Sequence, residues 1–434
     1  MSTLRILVVG VAIAFLSAAL LERWLRAHPD PQAPPVLYPR VPFIGHIIGL
    51  LTEGANYYKI TSLMGPAEIK YQGSIVLDQI SQRLDALPAD DRPLFEWCRD
   101  LFVEVTTYAF YGPENPFELY PGLVKDYWVW EDEMIGVMAS PLPQVTNRKA
   151  YLAREKVAKT MIEYVERERY TKASPVIQER IRLHKELGIS LEDRGRSEFG
   201  MLFGALVNGS ITVFWVLNYI FSRPPLVEDL RAEIQNGAFS VDHSTKTATI
   251  SFEGLRDACP LLNSVFRETL RLIAPMTSAR FVTEDTIVAD TYKLRAQSVV
   301  QIAGGVLHGD EEVWGPDSRE FNPQRFISTP NGTKTGSTDA DKRSVHPAAF
   351  RGFGGGTVFC PGRHFAQIEI LSLVAGLLMG WDFDPPKGAE LIEWDPPKDE
   401  KRIPIGVMKP LRDVVVSIKR RDEMRGLRWL LRMS

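Results

Sequence analysis

One stretch constrains this chain more than any other: the loop from Phe353 to Arg363, with the sequence FGGGTVFCPGR. Its three consecutive glycines permit backbone angles that other residues avoid, and they let the main chain approach a flat, bulky group. The loop leads into an apolar run from Phe365 to Leu378, whose spacing is typical of a buried helix. Cys360 therefore lies just before a helix start, where the helix dipole favours a thiolate over a thiol.

Two interpretations of Cys360 are open from the residues alone. In the first, the loop is a Gly-rich turn before a core helix, and the cysteine is a small buried hydrophobic residue. In the second, its thiolate ligates iron and, in haem, donates electron density towards oxygen on the opposite face. The spacing Phe-x-x-Gly-x-x-x-Cys-x-Gly resembles the haem-binding loop of cytochrome P450 enzymes. The resemblance implies that Cys360 ligates the iron of haem b, with Phe353, Gly356 and Gly362 beside the cofactor.

The composition is that of a large globular enzyme. The 434 residues are 45% hydrophobic and 24% charged, with a net charge of -3. This balance gives no reason to expect a nucleic-acid partner. The three cysteines are far apart and odd in number, so they predict no disulfide framework and favour a reducing compartment for the main body.

The N-terminus predicts a membrane anchor. Ile6 to Leu21 is uncharged and apolar, at the short limit for a spanning helix. A cleaved signal peptide is the alternative, because Ala18 and Ala19 are small. Heavier positive charge after the run favours an uncleaved anchor at residues 4–25, with the following chain cytoplasmic. Dense prolines in residues 26–46 predict a stiff hinge before a catalytic domain at 47–434, as in microsomal members of the family at the endoplasmic reticulum membrane.

The resemblance also shows a departure soon after the hinge. The family has there a small β-sheet, substrate-contacting loops and a helix whose Trp-x-x-x-Arg pair contacts the haem propionates. None of the nine tryptophans here has an arginine four residues later. We therefore expect an internal truncation near residue 62, either from an exon lost in the gene model or in a truncated variant.

Gly200 to Ile220 predicts a long apolar helix. It is either a central core helix or, by the resemblance, the oxygen-side helix that crosses over the haem. Most family members carry an acid followed by Thr there, but counting back from Trp215 gives Val207 and Asn208. This departure resembles the branch with sterol-side hydroxylases and prostacyclin synthase. Asn208 is the candidate catalytic residue, and two chemistries stay open: hydroxylation with water relaying protons, or rearrangement of a substrate that already carries an O–O bond.

A charged helix precedes the cysteine loop. Glu268 and Arg271 stand three apart on one face of the predicted helix at 257–272. Such a pair alone is weak, because many solvated helices carry one. In the family, an arginine in a Pro-x-Arg-Phe context, here Arg325, joins the pair in a buried network that fixes the loop under the haem. The resemblance implies this structural role. His308 lies in a predicted surface turn, and we expect it to be structural because no other His or Cys stands at metal-ligand spacing.

Arg280 is the expected propionate partner. It precedes two predicted strands, Thr286–Ala289 and Ser298–Ile302, joined by a turn. The resemblance implies that Arg280 pairs with a haem propionate, and a surface arginine at a strand edge is the alternative. Val358 stands where the family often has Arg or His for a propionate, so propionate binding rests mainly on Arg280.

The basic C-terminus, Ile418 to Ser434, has Trp429, Leu430 and Leu431 interleaved with arginines. We expect a frayed, solvated tail, with an amphipathic membrane-contacting helix as the alternative.

Together the motifs predict a mainly α chain with a cytochrome P450 fold, a small β region and an N-terminal transmembrane helix. The implied reaction inserts one oxygen atom from O2 into an apolar small molecule, with electrons from NADPH through a membrane-bound NADPH–cytochrome P450 reductase. The chain as a whole resembles fungal enzymes that modify secondary metabolites such as terpenoids. The alternatives are a haem-thiolate isomerase or dehydratase, which needs neither O2 nor a reductase, and a catalytically impaired truncated remnant.

Overall fold

The computed structural model describes residues 65–327, 345–356, 359–400 and 406–434. The predicted anchor, the hinge, the expected break near residue 62 and Val358 lie outside the described residues. The described chain divides into two compact units: residues 278–302 belong to one, and the remaining described residues belong to the other.

Helices make up most of the described chain, which confirms the mainly α prediction. In chain order, the helices are α1 (Pro66–Asp85), α2 (Leu94–Tyr111), α3 (Pro116–Leu119), α4 (Leu123–Asp132), α5 (Met134–Ala139), α6 (Pro143–Thr146), α7 (Arg148–Glu166), α8 (Pro175–Glu186), α9 (Leu191–Phe221), α10 (Pro224–Gly237), α11 (Phe252–Ala258), α12 (Pro260–Ile273), α13 (Gly304–His308), α14 (Glu311–Trp314) and α15 (Arg363–Gly380). The charged helix predicted at 257–272 is interrupted at Cys259, because Pro260 suits the first position of a new helix.

The strands are short and form small sheets. They are β1 (Asp90–Pro93), β2 (Phe239–Asp242), β3 (Thr247–Ser251), β4 (Thr277–Phe281), β5 (Thr286–Val288), β6 (Tyr292–Leu294), β7 (Val299–Ala303), β8 (Trp381–Asp384), β9 (Val415–Arg420) and β10 (Arg428–Arg432). Strand β9 pairs antiparallel with β1 and β8, while β3 pairs antiparallel with β2 and parallel with β10. Strand β4 pairs with β7, and β5 pairs antiparallel with β6.

The two strands predicted around residues 286–302 are confirmed to within one residue as β5 and β7, but their direct connection is wrong. Ala289 and Asp290 have φ angles of 53° and 51°, so the chain turns sharply after β5 and returns as β6. The sequence shows little of this hairpin, because neither turn residue is a glycine.

The prediction of a frayed C-terminal tail is wrong, and so is the alternative of a helix. The chain ends in β10, where Trp429 and Leu431 are buried and the residues between them are exposed. This period-two alternation is the signature of a half-buried strand. The Trp429 amide N–H also donates to Asp85 Oδ1 at 2.8 Å, which ties the strand to α1.

Helix α9 is a core helix that neighbouring helices approach closely. A Cβ added at Gly195 would lie 2.5 Å from the Ile162 Cα of α7, and one at Gly209 would lie 2.8 Å from the Phe102 ring of α2. Of the helices within the described ranges, α9 alone is long and apolar enough to cross a membrane. However, 61% of that apolar window is buried inside the protein, as expected for a helix that other helices cover.

Candidate functional site

The loop around Cys360 is held in front of helix α15. The Cys360 amide N–H donates to the Phe353 carbonyl at 2.9 Å, and the Arg363 amide N–H lies 3.4 Å from the Cys360 carbonyl. Gly354 and Gly356 have φ angles of 80° and 71°, in the region that favours glycine. These contacts place Cys360, an exposed residue, directly ahead of the helix.

Cys360 differs from the other two cysteines, and all three lie in the described ranges. Cys98 and Cys259 are buried, whereas Cys360 is exposed. Burial raises the pKa of Cys98 well above its ordinary value and that of Cys259 to about 12. Both buried thiols therefore stay protonated near neutral pH, and Cys360 is the cysteine sulfur available to a metal.

The predicted preference of Cys360 for the thiolate is outweighed by its surroundings. Desolvation by nearby protein atoms raises the pKa of the Cys360 thiol above its ordinary value. The Gly362 amide N–H and the Arg363 charge lower this pKa, as expected at a helix start, but by less. The positive charge of a bound metal would favour the thiolate and so oppose this desolvation.

The residues around the sulfur fit an iron carried by a flat macrocycle. A Cβ added at Gly356 would meet no heavy atom within 4 Å, and the atom nearest to one at Gly362 is the Cys360 Sγ, at 3.9 Å. Across the described ranges, no group of three or more His, Cys, Asp and Glu residues could hold a bare metal ion. An iron held in haem needs only one or two axial protein ligands, whereas a bare metal ion needs several.

Glu268, Arg271 and Arg325 come together in a buried cluster. Arg271 Nε and Nη2 donate to the two carboxylate oxygens of Glu268 at 2.8 and 2.7 Å. Arg325 Nε donates to Glu268 Oε1 at 3.0 Å, and Arg325 Nη1 donates to Asp317 Oδ1, also at 3.0 Å. Two guanidinium groups thus balance two carboxylates, and the bidentate geometry fixes their directions.

His308 connects this cluster to the cysteine loop. Arg271 Nη1 donates to the His308 carbonyl at 2.6 Å, and His308 Nε2 accepts from the Arg351 amide N–H at 2.8 Å. Burial and the nearby positive charges of Arg271 and Arg351 lower the pKa of His308 to about 4. The imidazole is therefore neutral and can accept the hydrogen bond. The cluster and the loop share one hydrogen-bonded path.

On helix α9, Asn208 contacts the chain near the C-terminus. Asn208 Oδ1 accepts a hydrogen bond from the Val407 amide N–H at 3.2 Å. The neighbouring Val207 is buried and apolar. The amide oxygen of Asn208 is thus engaged, and its Nδ2 group supplies donors only.

Arg280 lies on β4 and is half-buried. Its Nη1 donates to the Ala279 carbonyl at 2.8 Å. Because residues 278–302 form a unit of their own, the contact of Arg280 with a haem propionate stays a prediction.

Glu369 is a buried acid that the sequence analysis did not single out. Its carboxyl accepts a hydrogen bond from Thr106 Oγ1, and its Oε2 would lie 3.9 Å from a Cβ added at Gly209. Burial raises the pKa of Glu369 to about 8, although the Thr106 hydrogen bond opposes this rise. The available signal was the one charged residue within the largely apolar run that follows the cysteine loop.

The accessible sulfur ahead of a helix, linked to a buried Glu–Arg cluster in a mainly α chain, defines the class of haem-thiolate proteins. The family model for Cytochrome P450 matches residues 125–410, more than half of the chain. The chain belongs to the cytochrome P450 family, and it is a monooxygenase of that family.

The names of similar proteins are those of monooxygenases and hydroxylases. "Cytochrome P450 monooxygenase nodJ" of Hypoxylon pulicicidum is 27% identical over 513 residues, covering 99% of this chain and 98% of the relative. A "Cytochrome P450 monooxygenase" of Gibberella zeae is 28% identical over 369 residues, covering 81% of this chain and 68% of the relative. The "25-hydroxycholesterol 7-alpha-hydroxylase" of Rattus norvegicus is 28% identical over 333 residues, covering 74% of this chain and 77% of the relative.

The alignment with nodJ is longer than this chain. It spans 513 positions against 434 residues, a difference of 79. The relative therefore has residues with no counterpart here.

Proposed function

We propose that this cytochrome P450 binds haem b through Cys360 and inserts one oxygen atom from O2 into an apolar small molecule, a fungal secondary metabolite of the terpenoid class. The observation that carries the proposal is the exposed residue Cys360 just ahead of helix α15. The two other cysteines are buried and protonated, so the iron ligand has one candidate among the cysteines.

The residues of the loop bind and orient the cofactor. Cys360 would supply the sulfur ligand of a bound haem, while Gly356 and Gly362 leave the space beside it free of side chains. Phe353 packs beside the Phe266 ring, with centroids 6.1 Å apart, and forms a wall of the site. Bound haem supplies the oxygen activation, with electrons that originate from NADPH.

Glu268, Arg271 and Arg325 support the loop through the hydrogen-bonded path described above. Arg280 would donate to a propionate of bound haem, because a guanidinium suits a carboxylate partner. None of these four residues takes part in bond formation.

On the oxygen side, Asn208 orients water rather than donating a proton itself. A carboxamide is a poor proton donor, but its Nδ2 hydrogens can hold a water molecule in place. Val207 occupies the position that most family members give to an acid. Protons for hydroxylation therefore reach the site through ordered water.

The names of the relatives support the proposed substrate class. Three fungal relatives are named monooxygenases, and several mammalian relatives are named for hydroxylation of sterols. Sterols and many terpenoids are apolar fused-ring molecules of the same chemical kind. A fused-ring terpenoid is therefore the first substrate class to test.

The proposal extends to the membrane. Residues 4–25 anchor the chain, residues 26–46 act as a hinge, and residues 47–434 form a catalytic domain on the cytoplasmic face of the endoplasmic reticulum. NADPH–cytochrome P450 reductase in the same membrane is the electron donor. The 79 additional positions in the nodJ alignment support an internal truncation, which we propose to lie near residue 62.

Oxygen-isotope labelling tests the function. Microsomes with the full chain and a reductase are incubated with NADPH, ¹⁸O2 and a panel of fused-ring terpenoids and sterols. We expect a product heavier by one ¹⁸O atom that depends on NADPH. Conversion that needs neither NADPH nor O2 would favour the isomerase or dehydratase, and protein without haem would favour the truncated remnant.

A further inference from the structure

Strand β10 is held along both of its edges. On one side it pairs in parallel with β3. On the other side, side chains of α1 accept from its amides: the Trp429 N–H donates to Asp85 Oδ1 at 2.8 Å. In the same way, the Leu431 N–H donates to Ser81 Oγ at 2.9 Å. Helix α1 thus covers the edge of the sheet that would otherwise be open.

Strand β10 also packs against the end of α15, the helix that follows Cys360. A Cβ added at Gly380 would lie 2.4 Å from Cζ2 of the Trp429 ring. Trp429 also stacks on Trp381, with ring centroids 5.3 Å apart. The strand therefore contacts both α1 and α15, and its position depends on how closely the three elements fit.

Met433, directly after β10, lies where α1 and α15 come together. A Cβ added at Gly73 of α1 would lie 2.9 Å from Met433 Sδ and 3.0 Å from Cδ1 of Ile368 on α15. The thioether and the Ile368 methyl group thus share one small space beside Gly73. The Met433 carbonyl accepts from the Glu253 amide N–H at 3.0 Å, which fixes the backbone at this point.

Met433 combines this close contact with partial access to solvent. The residue is half-buried. By contrast, Met161 is 0% exposed and Met379 is 3% exposed, while Met138 on α5 is 41% exposed. Oxidants in water reach a thioether according to its exposure. We therefore expect Met433 to react more readily than the buried methionines.

We propose that Met433 is a site of reversible oxidation, and that its sulfoxide releases β10 from α1 and α15. Hydrogen peroxide is the oxidant. The sulfur forms an S–O bond while the O–O bond of the peroxide breaks and water leaves, so the sulfur loses two electrons and the peroxide gains them. A methionine sulfoxide reductase reverses the step with a thiol as reductant, which becomes a disulfide while the oxygen leaves as water.

The sulfoxide does not fit the space that the thioether occupies. Oxidation adds an oxygen atom and converts an apolar side chain into a polar one. Ile368 offers this oxygen only apolar carbon, and a buried polar group without a partner is unfavourable. Added volume at a close contact also displaces its neighbours. We therefore expect residue 433 to move outward and to weaken the adjoining hydrogen bond between Leu431 and Ser81.

Mass spectrometry tests the site. Hydrogen peroxide is added to the haem-loaded full chain, and the oxidation of each methionine is followed in its peptide. We expect Met433 and the exposed Met138 to be oxidised well before the buried Met161. Complete oxidation of Met138 while Met433 stays unmodified would overturn the site.

Hydrogen exchange of the Leu431 amide tests the consequence. We expect exchange to become about fivefold faster in protein oxidised at Met433, the change for one lost hydrogen bond. It should slow again after treatment with methionine sulfoxide reductases for both sulfoxide epimers. Met433→Gln, which places a polar group there permanently, should show the faster exchange without peroxide.

Two conservative variants control the measurement. Met433→Leu keeps the apolar volume and has no thioether, so its Leu431 exchange should stay slow in peroxide. Met138→Leu removes an exposed thioether elsewhere and should respond to peroxide as the wild type does. Unchanged Leu431 exchange in protein oxidised at Met433 would overturn the release of β10. Faster exchange in peroxide-treated Met433→Leu would assign the effect to another residue and overturn the proposal.

Discussion

The guanidinium group of Arg351 occupies the space in which a side chain at Gly355 would lie: an added Cβ would be 2.3 Å from Arg351 Nη1. Arg351 is buried, and its amide N–H donates to His308, which in turn contacts the Glu268–Arg271 pair. The Gly-rich loop is therefore packed against the Arg351 side chain. This contact explains why position 355, the middle of the three glycines, has no side chain.

Gly355→Ala should lower the haem content of the purified protein by at least about twofold, because the added methyl group displaces Arg351 or the loop. Haem per polypeptide is measured by absorbance against protein concentration. Gly122→Ala, which meets no neighbouring atom, should retain the wild-type content. Equal haem content in both variants would show that the loop accommodates the added methyl group without losing haem.

Cys360→Ser should abolish the absorption band that carbon monoxide produces with reduced, sulfur-ligated haem, because a serine hydroxyl does not replace a thiolate. The spectrum of the reduced, solubilised protein measures this directly. Cys259→Ala removes a buried thiol whose pKa lies at about 12, and it should keep the band. A band that persists in Cys360→Ser would assign the iron to another ligand.

Glu268→Gln should lower the free energy of unfolding by about 3–5 kcal/mol, because it leaves two buried guanidinium groups without their shared partner. Urea unfolding followed by haem absorbance measures the loss. The matched control is Glu179→Gln on α8, since Glu179 and Arg182 form a Glu-x-x-Arg pair at the protein surface. That exposed pair should contribute nothing measurable. If the two variants lost similar amounts of unfolding free energy, the prediction that burial makes the Glu268 pair important for stability would be wrong.

Glu369→Gln should flatten the dependence of stability on pH. The folded-state pKa of Glu369 is raised from 4.5 to about 8, so the folded chain keeps a proton that the unfolded chain releases. Its contribution to stability is complete below pH 4.5 and is lost as the pH rises through about 8. Between pH 5 and about 9, the Tm of wild type should therefore fall relative to that of Glu369→Gln.

The exposed Glu390→Gln is the control for this measurement. Its Tm difference from wild type should stay constant over the same pH range. A constant difference for Glu369→Gln as well would show that the acid does not stay protonated when folded.

Much of the fold and part of the site follow from local patterns. The apolar run after Cys360 and the apolar stretch before Trp215 have the helical period, and both are helices. The sequence did not reveal the contact of Asn208 with Val407, because these residues are 199 positions apart. It also missed β10, where two buried residues among arginines indicate a strand only once the neighbouring strand is known.

The Glu268–Arg271 and Glu179–Arg182 pairs show the division most clearly. In each pair, the sequence by itself determined that the glutamate and the arginine lie on the same side of their helix, because residues three apart share one side. Only the tertiary structure decided that the Arg271 side chain is 0% exposed and that of Arg182 is 52% exposed. Helical spacing is a local property, whereas burial depends on which distant segments cover the helix, and burial gives the first pair its structural role.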